Sequence, residues 1–134
     1  MVFRMPEILV TGATGFVGKA VVQRLLADDE SRRVAVAVRR DVQQWPARVL
    51  PRVTNDLDPA TDWSVALGGI SAVVHCAARV HVMADMAADP LEEFRRVNVQ
   101  GTLNLARQAA WKALLLKRGF MQRIARGEHV TAED

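Results

Sequence analysis

The chain has 134 residues, half of them hydrophobic and a quarter charged, and its 18 Lys and Arg against 15 Asp and Glu leave a formal charge of +3. That is one domain's length with enough apolar content for a packed core, and no apolar run approaches the roughly 20 residues that span a bilayer. The excess charge marks no nucleic-acid surface: residues 1–110 hold 13 basic and 12 acidic side chains and residues 111–134 hold 5 and 3, without a basic stripe interleaved with aromatics.

Met1 to Pro6 contain one arginine and no apolar stretch of signal-peptide length, so a cytoplasmic protein is expected. Glu7–Thr11, with Ile8-Leu9-Val10 at its centre, predicts a first strand buried on both faces, as a central parallel strand is. It runs into Thr11-Gly12-Ala13-Thr14-Gly15-Phe16-Val17-Gly18 and then into a helical pattern. A dinucleotide site needs each glycine for its own reason. Gly12 turns the chain sharply off the strand, Gly15 admits a pyrophosphate against the backbone, and Gly18 lets helix and sheet pack closely. The anion would sit at a helix N-terminus, where N–H groups and the positive end of the helix dipole converge. A plain glycine-rich turn is the bland alternative, and the placement between strand and helix favours the dinucleotide site.

Val17, Val21 and Leu25 recur every four residues, with Val22 and Leu26 widening the stripe, which predicts an amphipathic helix closed by residues 28–31. Arg33–Val38 predicts the second strand. Such folds read the adenosine ribose at this strand's end, through an acidic side chain for NAD or an arginine for the 2′-phosphate of NADP. Arg39 and Arg40 stand there and suit a phosphomonoester, whereas a solvated basic turn is the alternative and Asp41 keeps NAD open. Residues 43–51, with Pro46 and Pro51, read as a loop or short helical piece, followed by a short third strand over Arg52–Asn55 and then Asp56-Leu57. Thr61 or Asp62 is expected to cap a short helix through Trp63, Ala66 and Leu67, ended by Gly68-Gly69.

Ser71–Cys76 predicts the fourth strand, leading into His75-Cys76-Ala77-Ala78. His75, alone at a strand end, reads as structural rather than as an acid or base. Cys76 is the only cysteine, so no internal disulfide forms, and no partner base marks it as a nucleophile. Residues 79–88 are expected to form a loop over the site. His81 lies in it without a Cys, His or carboxylate cluster, so no metal site is expected. Asp89-Pro90-Leu91-Glu92 then combines a capping aspartate, proline at the first helical position and glutamate three residues after the cap. The helix it starts carries Phe94, Val97, Gly101 and Leu105 on one face, with Asn98-Val99-Gln100-Gly101-Thr102 in its middle. A glycine there costs about 1 kcal/mol against alanine and so has a packing reason.

Three ordered motifs, the G-x-x-G-x-x-G turn, His75-Cys76-Ala77-Ala78 and Asn98-x-x-Gly101-Thr102, together resemble the extended short-chain dehydrogenase/reductases, the NAD-dependent epimerase/dehydratase family of nucleotide-sugar enzymes. With the Arg-Val-His-Val stretch at 79–82 the resemblance points to bacterial nucleotide-sugar 4-epimerase-like members that serve polysaccharide synthesis, and it covers about Ile8 to Ala110. It implies an NAD or NADP cofactor, with a slight preference for NADP from Arg39 and Arg40, and a UDP-sugar substrate in the full-length family. It places the Gly12–Gly18 turn at the pyrophosphate, Asp56-Leu57 beside the adenine, and Ala77, Ala78 and Arg79 along the nicotinamide side. Asn98 would anchor backbone or waters next to the catalytic centre.

The fold expected is α/β, a Rossmann-type parallel sheet with helices on both faces, truncated after about four strands: residues 7–110 form the NAD(P)-binding portion and 111–134 a divergent basic tail. The family's serine-bearing fifth strand, Tyr-x-x-x-Lys and sugar-binding region have no counterpart, and the chain contains no tyrosine. No catalytic residue is therefore assigned, and an altered reading frame or truncated gene accounts for the change at Trp111. Gly119 is expected to interrupt the tail, which argues against an interfacial membrane helix. The exposed sheet edge predicts self-association. The function expected is cofactor binding by an N-terminal epimerase/dehydratase portion with catalysis lost; the alternatives are a nonenzymatic binding or interaction module and a nonfunctional gene remnant.

Overall fold

The computed structural model describes residues 5–41, 43–79 and 89–127. Four short strands, β1 (Ile8–Thr11), β2 (Val34–Val38), β3 (Val49–Val53) and β4 (Ala72–His75), pair in parallel in the order β3-β2-β1-β4. Among the described residues three α-helices accompany them: α1 (Phe16–Asp28), α2 (Pro90–Arg95) and α3 (Thr102–Ala125).

Strand alternation divides the core in two. Successive strand side chains point to opposite faces, so Val10, Val34, Val36 and Val38 pack with Val21, Val22, Leu25 and Leu26 of α1. On the other face Leu9, Ala35 and Val73 pack with Trp63, Leu67 and the α3 residues Leu105 and Ala109. Leu9, Val10, Val34, Ala35 and Val36 are wholly buried, as expected of parallel strands covered on both sides. This is the doubly covered Rossmann-type sheet that the sequence pattern predicts. Val17 departs from the expected stripe, because it lies in the first turn, beyond the sheet's end, and is exposed.

Three other expectations are corrected. The third strand is Val49–Val53, not Arg52–Asn55, and takes in Pro51, which pairs with Val36. Proline lacks a donor, but β3 is an edge strand with one unpaired side, where that loss is tolerated. Residues 61–69 form no helix: 61–63 are irregular and 64–69 are successive turns. Gly69 adopts φ +72°, and the Arg52 guanidinium donates to the carbonyls of Ala66 (2.8 Å) and Gly68 (2.7 Å), satisfying them from outside.

The third correction concerns the predicted helix from Asp89. Its start is as read: Pro90 leads it, and the Asp89 carboxylate accepts from the Glu92 N–H at 3.1 Å. Arg96–Gly101 then widens into a π-helical segment before α3 begins. Two close contacts fall within this segment. Asn98 is held to the Arg79 backbone, and Gly101 packs on Leu57 so tightly that a Cβ would lie 3.1 Å from the Leu57 Cγ. A wide turn satisfies both, and π segments recur where function fixes a side chain. Beyond it α3 continues unbroken across Ala110-Trp111 and through Gly119 to Ala125; one glycine costs too little to stop a 24-residue helix.

The loop between β2 and β3 is tied down by Arg48, whose guanidinium donates to the carbonyls of Leu26 (3.0 Å), Asp29 (2.9 Å) and Arg32 (3.2 Å). It thereby supplies donors to the C-terminal end of α1, where carbonyls lack intrahelical partners. Among the described residues no helix is long and apolar enough to cross a membrane.

Candidate functional site

In an open parallel sheet ligands bind beyond the carboxyl ends of the strands, where the strand order reverses direction. Here the order moves outward from β1 to β2 and β3 and then returns to β4 on the other side of β1. The reversal therefore lies between β1 and β4. The Gly12–Gly18 turn follows β1 directly, and Cys76-Ala77-Ala78 follow β4.

Gly12 has φ +67°, and a Cβ on it would lie 2.6 Å from the Ala77 nitrogen and 2.7 Å from the Cys76 carbonyl carbon. Both its backbone conformation and its crossing under the end of β4 demand glycine. Gly18, buried in the first turn of α1, would place a Cβ 2.0 Å from the Gly12 carbonyl oxygen. Gly15 differs from both. It is exposed, its N–H donates to the Gly12 carbonyl at 3.1 Å, and a Cβ there would meet only that oxygen, at 3.3 Å. The chain itself thus leaves the space over Gly15 open at the mouth of α1.

Gly15 caps α1 in extended conformation without a side-chain hydrogen bond, and the first turn contains no acidic residue. The N–H groups of Phe16, Val17 and Gly18 are those a helix start leaves without intrahelical acceptors. A cradle of free donors with no competing carboxylate fits a pyrophosphate. Thr14, Phe16 and Val17 are exposed around it, whereas Ala13 is buried in the core and offers only its backbone.

The remaining sequence-predicted residues fall at the same carboxyl edge in two groups. At the ends of β2 and β3, Arg39 and Arg40 are exposed, and the Arg39 Nη1 donates to the Asp56 Oδ1 at 3.1 Å. Leu57, expected beside a base, is half-buried against Gly101 and the α3-side core. Beyond β4, Ala77 is half-buried and Ala78 exposed. The Arg79 guanidinium carbon lies 5.6 Å from the centroid of the Phe94 ring. Asn98 grips Arg79 by its main chain, accepting from the N–H at 2.7 Å and donating to the carbonyl at 2.9 Å. His81 and the rest of residues 80–88 lie outside the described residues. Among those described, no cluster of His, Cys, Asp or Glu could hold a metal.

Thr11 and Thr102 contribute what sequence reasoning missed. The Thr11 hydroxyl accepts from the N–H groups of Cys76 (3.1 Å) and Ala77 (3.2 Å) and lies 2.6 Å from the His75 Nδ1. With its lone pairs engaged, the hydroxyl donates its proton to Nδ1, which places the imidazole proton on Nε2, 3.0 Å from the Thr102 hydroxyl. His75 is thus a neutral bridge from β1 to α3, in keeping with the structural reading. A polar side chain as the last residue of an apolar strand is the signal that could have singled out Thr11. A second lashing holds the neighbouring loop: Arg96 donates to the carboxylates of Glu93 and Asp58. The Ala60 N–H, together with the hydrogen bond and charge of Arg96, keeps the Asp58 carboxyl below its usual range.

The sequence profile of the NAD dependent epimerase/dehydratase family matches residues 8–118. The chain belongs to that family. The match passes Ala110, so it includes the first part of the stretch that reads as a divergent tail. A UDP-glucose 4-epimerase from Vibrio cholerae is 43% identical over 107 residues, which are 79% of this chain and 32% of that protein. A short-chain dehydrogenase/reductase superfamily protein from Agrobacterium tumefaciens, solved with bound NAD, shares 32% identity at a TM-score of 0.54, over 76% of this chain and 28% of its own. A Bordetella bronchiseptica enzyme in complex with NAD and UDP shares 25% at 0.56, over 80% and 34%. The chain thus spans about a third of the length of these relatives.

Burial pushes the His75 pKa below its ordinary value of 6.5. The unfolded imidazole therefore takes up a proton first as pH falls, so the stability is fully present above about 6.5 and is lost as pH drops below it. Urea unfolding of the wild type is expected to show a lower midpoint at pH 5.5 than at pH 7.5. A His75→Gln variant, destabilised at pH 7.5, should show a flatter profile across that interval, and an unchanged slope would contradict the bridging role.

Proposed function

We propose that this chain is the dinucleotide-binding portion of a nucleotide-sugar epimerase/dehydratase, binding NAD or NADP with a slight preference for NADP, and that these 134 residues alone do not turn over a sugar nucleotide. The observation that carries the binding is the open space over Gly15 at a helix start rich in donors. Family membership and relatives holding NAD or UDP support it.

In this reading the backbone N–H groups at the start of α1 hold the pyrophosphate, Arg39 and Arg40 stand at the adenosine ribose, and Ala77 and Ala78 leave room along β4. Asn98 fixes the Arg79 backbone, and through it the segment that follows β4. When bound, the nicotinamide supplies a reversible hydride acceptor. That chemistry also requires a base to take the substrate's hydroxyl proton. The family uses a tyrosine held by a lysine for it, and this chain has no tyrosine. His75 cannot stand in, because Thr11 and Thr102 occupy both its nitrogens.

The parent enzyme's substrate in this proposal is a UDP-sugar. A reducing cytoplasmic setting suits the lone Cys76 thiol. Self-association belongs to the same proposal. β4 pairs with β1 on one side, its Val73 and Val74 are only half-buried, and Trp111, Leu114 and Leu115 of α3 are exposed. An open apolar edge of this kind recruits another strand.

Gly15→Val should abolish NAD(H) and NADP(H) binding in calorimetric titration while leaving the circular dichroism spectrum intact, because the added side chain crowds the helix mouth and its Cβ is close to one atom of the chain, the Gly12 carbonyl oxygen at 3.3 Å, which needs to give by only a few tenths of an ångström. Undiminished affinity in the folded variant would sink the cofactor assignment. Purified chain supplied with NAD and UDP-glucose is expected to give no more UDP-galactose than Gly15→Val does, and any excess would overturn the loss of catalysis. Light scattering should show average mass rising with concentration; a monodisperse monomer at high concentration would exclude the edge association.

A further inference from the structure

The Arg39–Asp56 pair joins two residues 17 positions apart in the chain, and both ends of it are anchored. Arg39 follows Val38, a buried β2 residue whose carbonyl accepts from the Thr54 N–H at 2.8 Å, continuing the β2–β3 ladder beyond the strands. The Asp56 carbonyl accepts from the Thr61 hydroxyl. Thr61 is itself buried, and its carbonyl accepts from Asn104 (2.9 Å) and Gln108 (2.8 Å) of α3. The backbone on both sides is therefore held to the rigid body, and the two side chains meet in solvent, where they are 77% and 71% exposed. An ion pair so exposed adds little stability, typically below about 1 kcal/mol. Its consequence lies in where it puts charge.

The pair stands at the carboxyl end of β2, where an adenosine ribose is read in folds of this kind. A ribose 2′-hydroxyl seeks an acceptor, which the Asp56 carboxylate is. A 2′-phosphomonoester seeks donors, which Arg39 and Arg40 are, and is repelled by a carboxylate. The site holds both halves of the discrimination in contact, so the count of arginines alone does not decide it. Resting on the proposed dinucleotide binding, we infer that Asp56, through its ion pair with Arg39, is the specificity-determining residue that restrains an otherwise NADP-selective arginine pair and keeps the chain near even between the two cofactors. Asp56 then acts at the ribose end through Arg39, rather than only as an acceptor beside the adenine.

The measurement is the ratio of NAD to NADP dissociation constants, by calorimetry on the whole chain, for wild type, Asp56→Asn, Asp56→Glu and Arg39→Gln. The wild-type constants should agree within about threefold. Asp56→Asn, which removes the repelling charge, should move the ratio toward NADP by about tenfold, and Arg39→Gln should move it the other way by a similar factor. Asp56→Glu keeps the charge and the reach to Arg39 and should restore the wild-type ratio. A merely structural role would weaken both cofactors together, so Asp56→Asn with an unchanged ratio overturns the inference while leaving dinucleotide binding in place. A wild type that binds neither cofactor overturns the dinucleotide reading and this inference with it.

Discussion

The close crossing of the Gly12 turn under the end of β4 is the constraint on which the rest of the molecule depends. Two adjacent strands end together, and their following segments must pass without a side chain between them. The space allows only hydrogen at Gly12, since a Cβ would fall within 2.6 Å of backbone. The Thr11 hydroxyl closes the crossing by accepting from two N–H groups of the other segment and engaging His75. Because the crossing is fixed, Gly18 can seat the first turn of α1 against the Gly12 carbonyl, and the mouth of that helix takes up a defined position over the sheet. Buried polar groups gain most when every partner is satisfied, and this cluster of hydroxyls, imidazole and backbone meets that condition.

The same economy recurs around the sheet, where side chains do the work of absent regular structure. Among the described residues no helix joins β2 to β3, yet Arg48 reaches the carbonyls of Leu26 in α1, of Asp29 at its C-cap and of Arg32 in the segment leading to β2. No helix joins β3 to β4, yet Arg52 satisfies the turn at 66–68, and Thr61 is bound by two amides of α3. Hydrogen bonds from a guanidinium are stronger than neutral ones, roughly 1.5–3 kcal/mol each when they are sheltered. A few well-placed arginines can therefore hold irregular segments that propensity alone would leave loose.

How much of this could be read from the residues follows from what each feature rests on. The glycine turn, β1, β2 and the Asp89 cap were legible because spacing and local chemistry decide them. β3 was obscured by Pro51, whose poor strand propensity matters little on an edge that no other strand uses. The stretch 61–69 carries Trp63, Ala66 and Leu67 at helical spacing, but those side chains join the core from irregular backbone and turns. The π segment depends on where Asn98 and Gly101 find their partners, Arg79 and Leu57, and no local pattern contains that information. His75 could be read as structural from its isolation, whereas its contact with Thr102 needs the fold. The Arg39–Asp56 pair was hidden for the same reason, since the relative positions of the β2 and β3 ends bring it together.

The crossing at Gly12 also makes the phosphate cradle a product of the whole sheet rather than of the motif that spells it. Thr11 and His75 are 64 residues apart in the chain, so a peptide containing the turn and α1 has the letters of the site without its shape. Such long loops close late and slowly in folding. A ligand that fits only the closed arrangement draws its free energy from, and returns it to, every strand at once, stabilising the folded state by mass action in proportion to the logarithm of its concentration over Kd. Occupancy and global order are then two readings of one equilibrium in this molecule.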